Sequence, residues 1–169
     1  MTFSLISQGQ RDRFLLEKEL DFSFNFGKEN NENLGRFRAN LYFQKGVICG
    51  EFRLLDAKIR TIEELGIPKI AHTFAGLKQG LVLVTGPTGH GKSTTLAAII
   101  NEINQSRSAN IITIEDPIEY VYPSGKSLIS PREMGQDTNS WGAALRSALR
   151  EDPDVVLVGE MRAPETIAA

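Results

Sequence analysis

The stretch TGPTGHGKSTT, residues 85–95, sits directly behind the apolar run LVLV, residues 81–84. Within it Gly86, Pro87, Thr88, Gly89, His90, Gly91, Lys92 and Ser93 fit the pattern G-x-x-x-x-G-K-[ST], and Thr94 continues it. A strand in front and a helix behind are the context such a loop needs. The glycines let successive backbone N–H groups turn inward, and the start of the helix adds positive potential where phosphates lie. Lys92 is placed to reach the outer phosphates, and the Ser93 hydroxyl to meet Mg²⁺. The competing reading is an ordinary glycine-rich turn, but at an average glycine usage of ~7% a chance match is rare. His90 reads as a spacer whose side chain faces outward. Residues 86–94 are therefore expected to hold ATP with Mg²⁺.

Working outward, apolar segments alternate with helical patterns: LVLVT, a helix from about residue 91 to 105, IITI, a helix from about 140 to 150, and VVLVG. Near-continuous apolar strands are buried on both faces, which predicts a parallel sheet with covering helices. Hydrolysis needs more than the loop, because a water must be oriented and the metal held by an acid at a neighbouring strand end. VVLVGE delivers Glu160 to the carboxyl edge of the sheet, where open α/β sheets bind ligands. IITI delivers Glu115 and Asp116 to the same edge, with Glu119 close behind. Helix capping is the alternative role for these three acids.

The first third reads differently. Residues 7–20 look helical, and DFSFNF alternates, placing Phe22, Phe24 and Phe26 on one face. The segment 27–35, GKENNENLG, is a polar loop. RFRANLYFQ and VICGEFRLL alternate on either side of Lys45-Gly46, a two-residue hairpin turn. That turn pairs residues whose numbers sum to 91, so Phe43 meets Ile48 and Ala39 meets Phe52 on the apolar face. On the polar face Arg38 meets Arg53. Like charges directly opposed destabilise a strand pair, which invites an anion between them; two solvated, splayed arginines are the alternative. Thr61 and Glu64 form a capping box, Gly66 stops that turn, and Pro68 opens a short helix ending near Gly76.

The 169 residues are 41% apolar and carry a formal net charge of −2, with no basic surplus pointing to nucleic acid. One cysteine, Cys49, excludes an internal disulfide and a cysteine-rich metal site, and no cation or histidine neighbours it in sequence to activate the thiol. No apolar run approaches the ~20 residues of a membrane span. His72 reads as a surface or interface residue, Trp141 as packing, and Arg146 with Arg150 as a solvated stripe.

LVLVTGPTGHGKSTTLAAII, IITIEDPIEY and ALREDPDVVLVGEMR, with DFSF and GRFRAN before them, resemble the type IV pilus retraction ATPases of the PilT type, within the secretion ATPase superfamily. The resemblance runs from about Gln10 to the end. It implies an α/β fold: a partial RecA-like P-loop NTPase core preceded by part of a PAS-like α+β domain. The implied domains are 1–57, the end of the PAS-like domain; 58–80, a helical connector; and 81–169, the start of the ATPase domain. GPTGHGKS corresponds to the Walker A loop, TIEDPIE to an Asp box of Glu115, Asp116 and Glu119, and VVLVGE to a Walker B segment with Glu160 as general base and, with Ser93, metal holder. Arg38 and Arg53 match arginines that reach the nucleotide from the PAS-like domain and sense its terminal phosphate.

The resemblance further implies an ATP-hydrolysing homo-hexameric motor for pilus retraction, cytoplasmic and peripheral to the inner membrane. Its partner would be an inner-membrane pilus assembly platform protein, with no direct nucleic acid contact and no transmembrane segment. Glu151 in LREDPD is like the retraction branch. Ala163 departs from the usual MRD, where Asp could cap the helix that Pro164 begins. The chain stops ahead of the family's His box and is expected to be a fragment of low activity by itself. Two other readings stand beside this one: a RecA-like helicase or recombinase, which needs a basic or aromatic strand-binding surface, and a nucleotide-binding assembly subunit without turnover.

Overall fold

The computed structural model describes residues 2–26, 35–56 and 58–161. Two compact units divide the chain, Met1–Ala57 and Lys58–Ala169.

The first unit is a helix on a three-stranded antiparallel sheet of order β1-β2-β3. Helix α1, Gln8–Glu17, opens on a reciprocal capping box: Gln10 N–H donates to Ser7 Oγ, and Ser7 N–H to Gln10 Oε1 at 2.9 Å. It closes on Lys18 in the left-handed region, whose N–H returns to the Phe14 carbonyl. Strands β1 (Glu19–Phe26), β2 (Gly35–Gln44) and β3 (Val47–Leu55) follow. Lys45 and Gly46 have φ of 51° and 79°, the two positive values that a type I′ hairpin turn requires. The β2–β3 register sums to 91 as the turn dictates, with Arg38 opposite Arg53. One face gathers Leu20, Phe22, Ala39 and Leu41 around Phe14 of α1, all buried. Gly50 sits across from Leu41, and a Cβ there would come within 2.7 Å of that leucine. Of the polar loop expected over 27–35, residues 27–34 lie outside the described residues, and Gly35 belongs to β2.

The second unit starts with the expected capping box at Thr61 and Glu64, bonded in both directions at 2.9 and 3.2 Å. It caps a single turn rather than a helix, and Gly66, φ 65°, ends it. Helix α2, Ala71–Ala75, and helix α3, Lys92–Ser106, pack together. Strands β4 (Asn110–Glu115), β5 (Leu128–Glu133) and β6 (Val155–Val158) form a parallel sheet of order β5-β4-β6. Central β4 is covered on both sides. Ile111 joins Ile99, Ile100 and Ile103 of α3, while Ile112 and Ile114 meet Ala144 and Ala148 of helix α4, Trp141–Ala148. Trp141 packs in that second cluster, as its position suggested.

Two elements differ from the sequence expectation. LVLVT forms no strand and pairs with none among the described residues. Leu81 and Leu83 are 78% and 58% exposed and Val82 and Val84 half-buried, and residues 81–84 line, with Ala71, Phe74 and Ile99, a cavity of about 430 Å³. Apolar side chains at a period of two suggest a strand, but a strand also needs a ladder neighbour. The other difference is β5, LISPRE, which carries no apolar alternation and contains Pro131. As an edge strand it tolerates a residue without an N–H.

The segment before β5 closes the end of α3. A helix leaves its last carbonyls without partners, and Lys126 N–H takes the Asn104 carbonyl at 2.7 Å, Lys126 Nζ that of Ser106 and Ser127 Oγ that of Arg107. The fully buried Asn104 side chain donates to the Pro123 carbonyl at 2.9 Å and accepts from Ser127 N–H at 3.3 Å.

Candidate nucleotide site

The loop 86–91 turns because its glycines occupy backbone regions closed to other residues. Gly86, Gly89 and Gly91 have φ of 153°, 78° and 80°, and a Cβ at any of them would meet nothing within 4 Å. Conformation rather than crowding therefore demands glycine there. Gly91 is also the N-cap of α3 and supplies no side-chain bond to the helix's first N–H groups. Those groups and the macrodipole make the start of α3 suited to an anion. Lys92 folds back across the loop, its Nζ 2.9 Å from the carbonyls of both Gly86 and Pro87. His90 turns its Nδ1 to the Thr88 carbonyl at 3.1 Å and stays exposed, consistent with a spacer. Pro87, Thr88 and Ser93 are exposed as well.

The strand ends deliver the acids. β4 ends at Glu115, β6 runs parallel beside it, and Gly159 N–H donates to the Ile114 carbonyl at 2.8 Å. A Cβ on Gly159 would lie 3.3 Å from the Ile114 carbonyl oxygen and 3.4 Å from Glu115 Cα, so the strand tips touch at that glycine. Glu160 is the next residue, half-buried. Asp116 and Glu119 follow β4, and Tyr120 brings this segment to α3: its hydroxyl lies 3.0 Å from Thr94 Oγ1. Tyr122 is half-buried against the cluster that holds α3, and desolvation, reinforced by Glu115 and Tyr120, pushes its phenol well above the ordinary range. Neither tyrosine was singled out from the sequence, although IEY was in view; an aromatic in a loop has no periodicity to mark it.

Arg38 and Arg53 stand opposite each other in the first unit, both on the face away from the apolar cluster. His72 makes two ion pairs, Nδ1 to Glu102 at 2.9 Å and Nε2 to Glu63 at 3.1 Å. The hydrogen bond that its ring donates to the Glu102 carboxylate, outweighing partial burial, raises its pKa. Asn110 fastens the LREDPD turn to β4: its N–H donates to Asp154 Oδ2 at 2.7 Å and its amide to the carbonyls of Glu151 and Asp152. Glu151 itself takes Ser147 Oγ at 2.9 Å and Arg132 at 3.4 Å. Cys49 touches Gln44 at 3.7 Å.

A family model for Type II/IV secretion system protein matches residues 53–169. The chain belongs to that family. It is similar to the twitching motility protein of Neisseria gonorrhoeae, 50% identical over 167 residues that make up 99% of this chain and 43% of the relative. It is similar also to the type IV pilus retractation ATPase PilT of Pseudomonas aeruginosa, 46% identical over 99% of this chain and 47% of the relative. Among solved structures, that of the pilus retraction motor PilT with bound ADP superposes with a TM-score of 0.91 at 48% identity, over 99% of this chain and 47% of the other. The chain spans less than half the length of each. The α/β fold expected from the sequence is that of the retraction motor. Among the described residues no helix is long and apolar enough to cross a membrane.

Proposed function

We propose that this polypeptide carries the nucleotide-binding part of an ATP-driven motor for type IV pilus retraction. The observation that carries the reading is the glycine-turned loop 86–91 running into an α3 whose first N–H groups lack a side-chain cap. Residues 86–94 form the phosphate cradle. Lys92 exchanges two carbonyl contacts for phosphate oxygens, and Thr94 stands one residue beyond Ser93 with its hydroxyl steadied by Tyr120. Among the described residues no cluster of three or more His, Cys, Asp or Glu is arranged to hold a metal by itself. That suits Mg²⁺, which is commonly held by one or two protein oxygens together with substrate phosphates and water. Ser93 and Glu160 would supply those oxygens, and an ion held there would neutralise charge on the phosphates.

Glu160 is the general base that takes a proton from water, and Glu115, Asp116 and Glu119 orient that water and the terminal phosphate. Arg38 and Arg53 sense whether that phosphate is present, an assignment supported by their opposition on β2 and β3 and by the family resemblance. Residues 1–57 act as the PAS-like end, 58–80 as connector and 81–169 as the start of the RecA-like domain. The full-length protein works as a homo-hexamer in the cytoplasm, peripheral to the inner membrane through a pilus platform partner. The name of the Pseudomonas relative supports the retraction ATPase reading, and the ADP in the motor structure supports nucleotide binding.

In the full-length protein Lys92→Ala should lose ATP binding. Glu160→Gln should keep ATP and lose turnover by 100-fold or more, on the order of a missing general base. Hydrolysis by Glu160→Gln at an unaltered rate defeats the assignment.

A further inference from the structure

Glu133 ends β5 exactly where Glu115 ends β4, the two being partners in the parallel register. It is 3% exposed, and a buried carboxylate persists only when donors meet its oxygens. Here they do. Oε2 accepts the backbone N–H of Ile118 at 3.0 Å, and Oε1 accepts the side-chain amide of Gln136. Its own N–H donates to Asp137 Oδ2 at 2.8 Å, and Asp137 N–H returns to its carbonyl at 2.9 Å, so the backbone that carries the carboxylate is itself held. One residue on, Met134 N–H takes the Glu115 carbonyl at 2.9 Å.

Ile118 lies between Asp116 and Glu119, so one bond to its N–H sets the path of both acids. Two residues later Tyr120 ties the same segment to Thr94 at the start of α3. The acidic segment 115–120 is thus fixed on the β5 side by a buried carboxylate and on the α3 side by a phenol. We infer that Glu133 is a positioning residue for ATP hydrolysis, holding Asp116 and Glu119 in place at the nucleotide without touching it. This rests on the ATPase reading above. What the segment needs is an acceptor at 133 for the Ile118 N–H: a Gln there still supplies one, and the exposed Gln136 can turn its amide to offer Oε1 to the new NH₂, whereas an Ala supplies none.

The test compares Glu133→Ala and Glu133→Gln with unaltered full-length protein, measuring kcat and the affinity for a non-hydrolysable ATP analogue with Mg²⁺. For Glu133→Ala the expected result is kcat lowered tenfold or more with affinity changed less than twofold, because the cradle at 86–94 is untouched. Glu133→Gln keeps an acceptor for the Ile118 N–H, and its kcat should lie within threefold of the unaltered protein. Unchanged kcat in Glu133→Ala, an equal loss of affinity and kcat, or a folded Glu133→Gln with kcat as low as that of Glu133→Ala overturns the assignment. Should Glu133→Ala fail to fold, Gln136→Ala, at an exposed position, should lower kcat about threefold at unchanged affinity, and an unaltered kcat there overturns it equally. Lys92→Ala serves as the control: if it too retains turnover, the ATPase reading fails and not the role of Glu133.

Discussion

Gly125 looks like a dispensable loop residue: it is exposed, and its φ lies outside the left-handed region that alanine avoids. Yet a Cβ on it would lie 2.7 Å from Asn104 Nδ2, 2.6 Å from Cγ and closer still to Oδ1. Asn104 is fully buried, so its amide has no room to retreat without giving up its bonds to the Pro123 carbonyl and Ser127 N–H. Each buried polar group left without its partner costs about 1–3 kcal/mol. Two such losses, partly recovered by water at the exposed loop, make Gly125→Ala destabilising by roughly 2–4 kcal/mol. At about 3–5 °C per kcal/mol for a unit of this size, the melting temperature should fall by roughly 6–20 °C. Thermal and urea denaturation followed by circular dichroism measure it. Because the alanine acts through Asn104, adding Asn104→Ala should cost far less than the sum of the two single changes. A loss below ~0.5 kcal/mol, the range of an ordinary surface substitution, or strict additivity with Asn104→Ala, refutes the reasoning.

Gly9, exposed in α1 with nothing within 4 Å of an added Cβ, offers the opposite case. Gly9→Ala should stabilise the first unit by about 0.5–1 kcal/mol, read from its urea midpoint, through the entropy glycine loses in a helix. His72 gives a pH test. Its raised pKa means that the folded state favours the protonated ring, so its contribution is complete below the unfolded value of 6.5 and disappears as pH rises through the higher folded value. The melting temperature of the unaltered protein should exceed that of His72→Gln near pH 5.5–6 and match it near pH 9; an advantage that is constant or grows with pH contradicts the two ion pairs.

Much of the architecture was legible because it rests on local rules. The Lys45-Gly46 turn fixed the whole β2–β3 register, since two positive φ values and a period of two leave only one pairing. The phosphate-loop pattern announced α3, and the helical pattern from about residue 140 announced α4, which Ser140 caps by accepting from Ala143 N–H. LVLVT was expected as a strand and forms none among the described residues, because pairing depends on what lies alongside. β5 was missed for a related reason: LISPRE is an edge strand, half-exposed, and lacks the apolar run that marked β4 and β6.

The residues that make the acidic segment and the Asn104 loop rigid were invisible from the sequence alone. Glu133 and Tyr120 lie in stretches without periodicity and Asn104 is a polar residue on the buried face of α3, and the partners of Glu133, Asn104 and Tyr120 lie 15, 19 and 26 positions away. The sequence by itself determined where the glycine-rich turn, the acids and the hairpin occur, because φ preference, side-chain alternation and capping act within a few residues. The tertiary structure decided which strands pair, which carboxylate is buried and which glycine cannot carry a methyl group. Those outcomes depend on distances between segments remote along the chain, and only packing sets them.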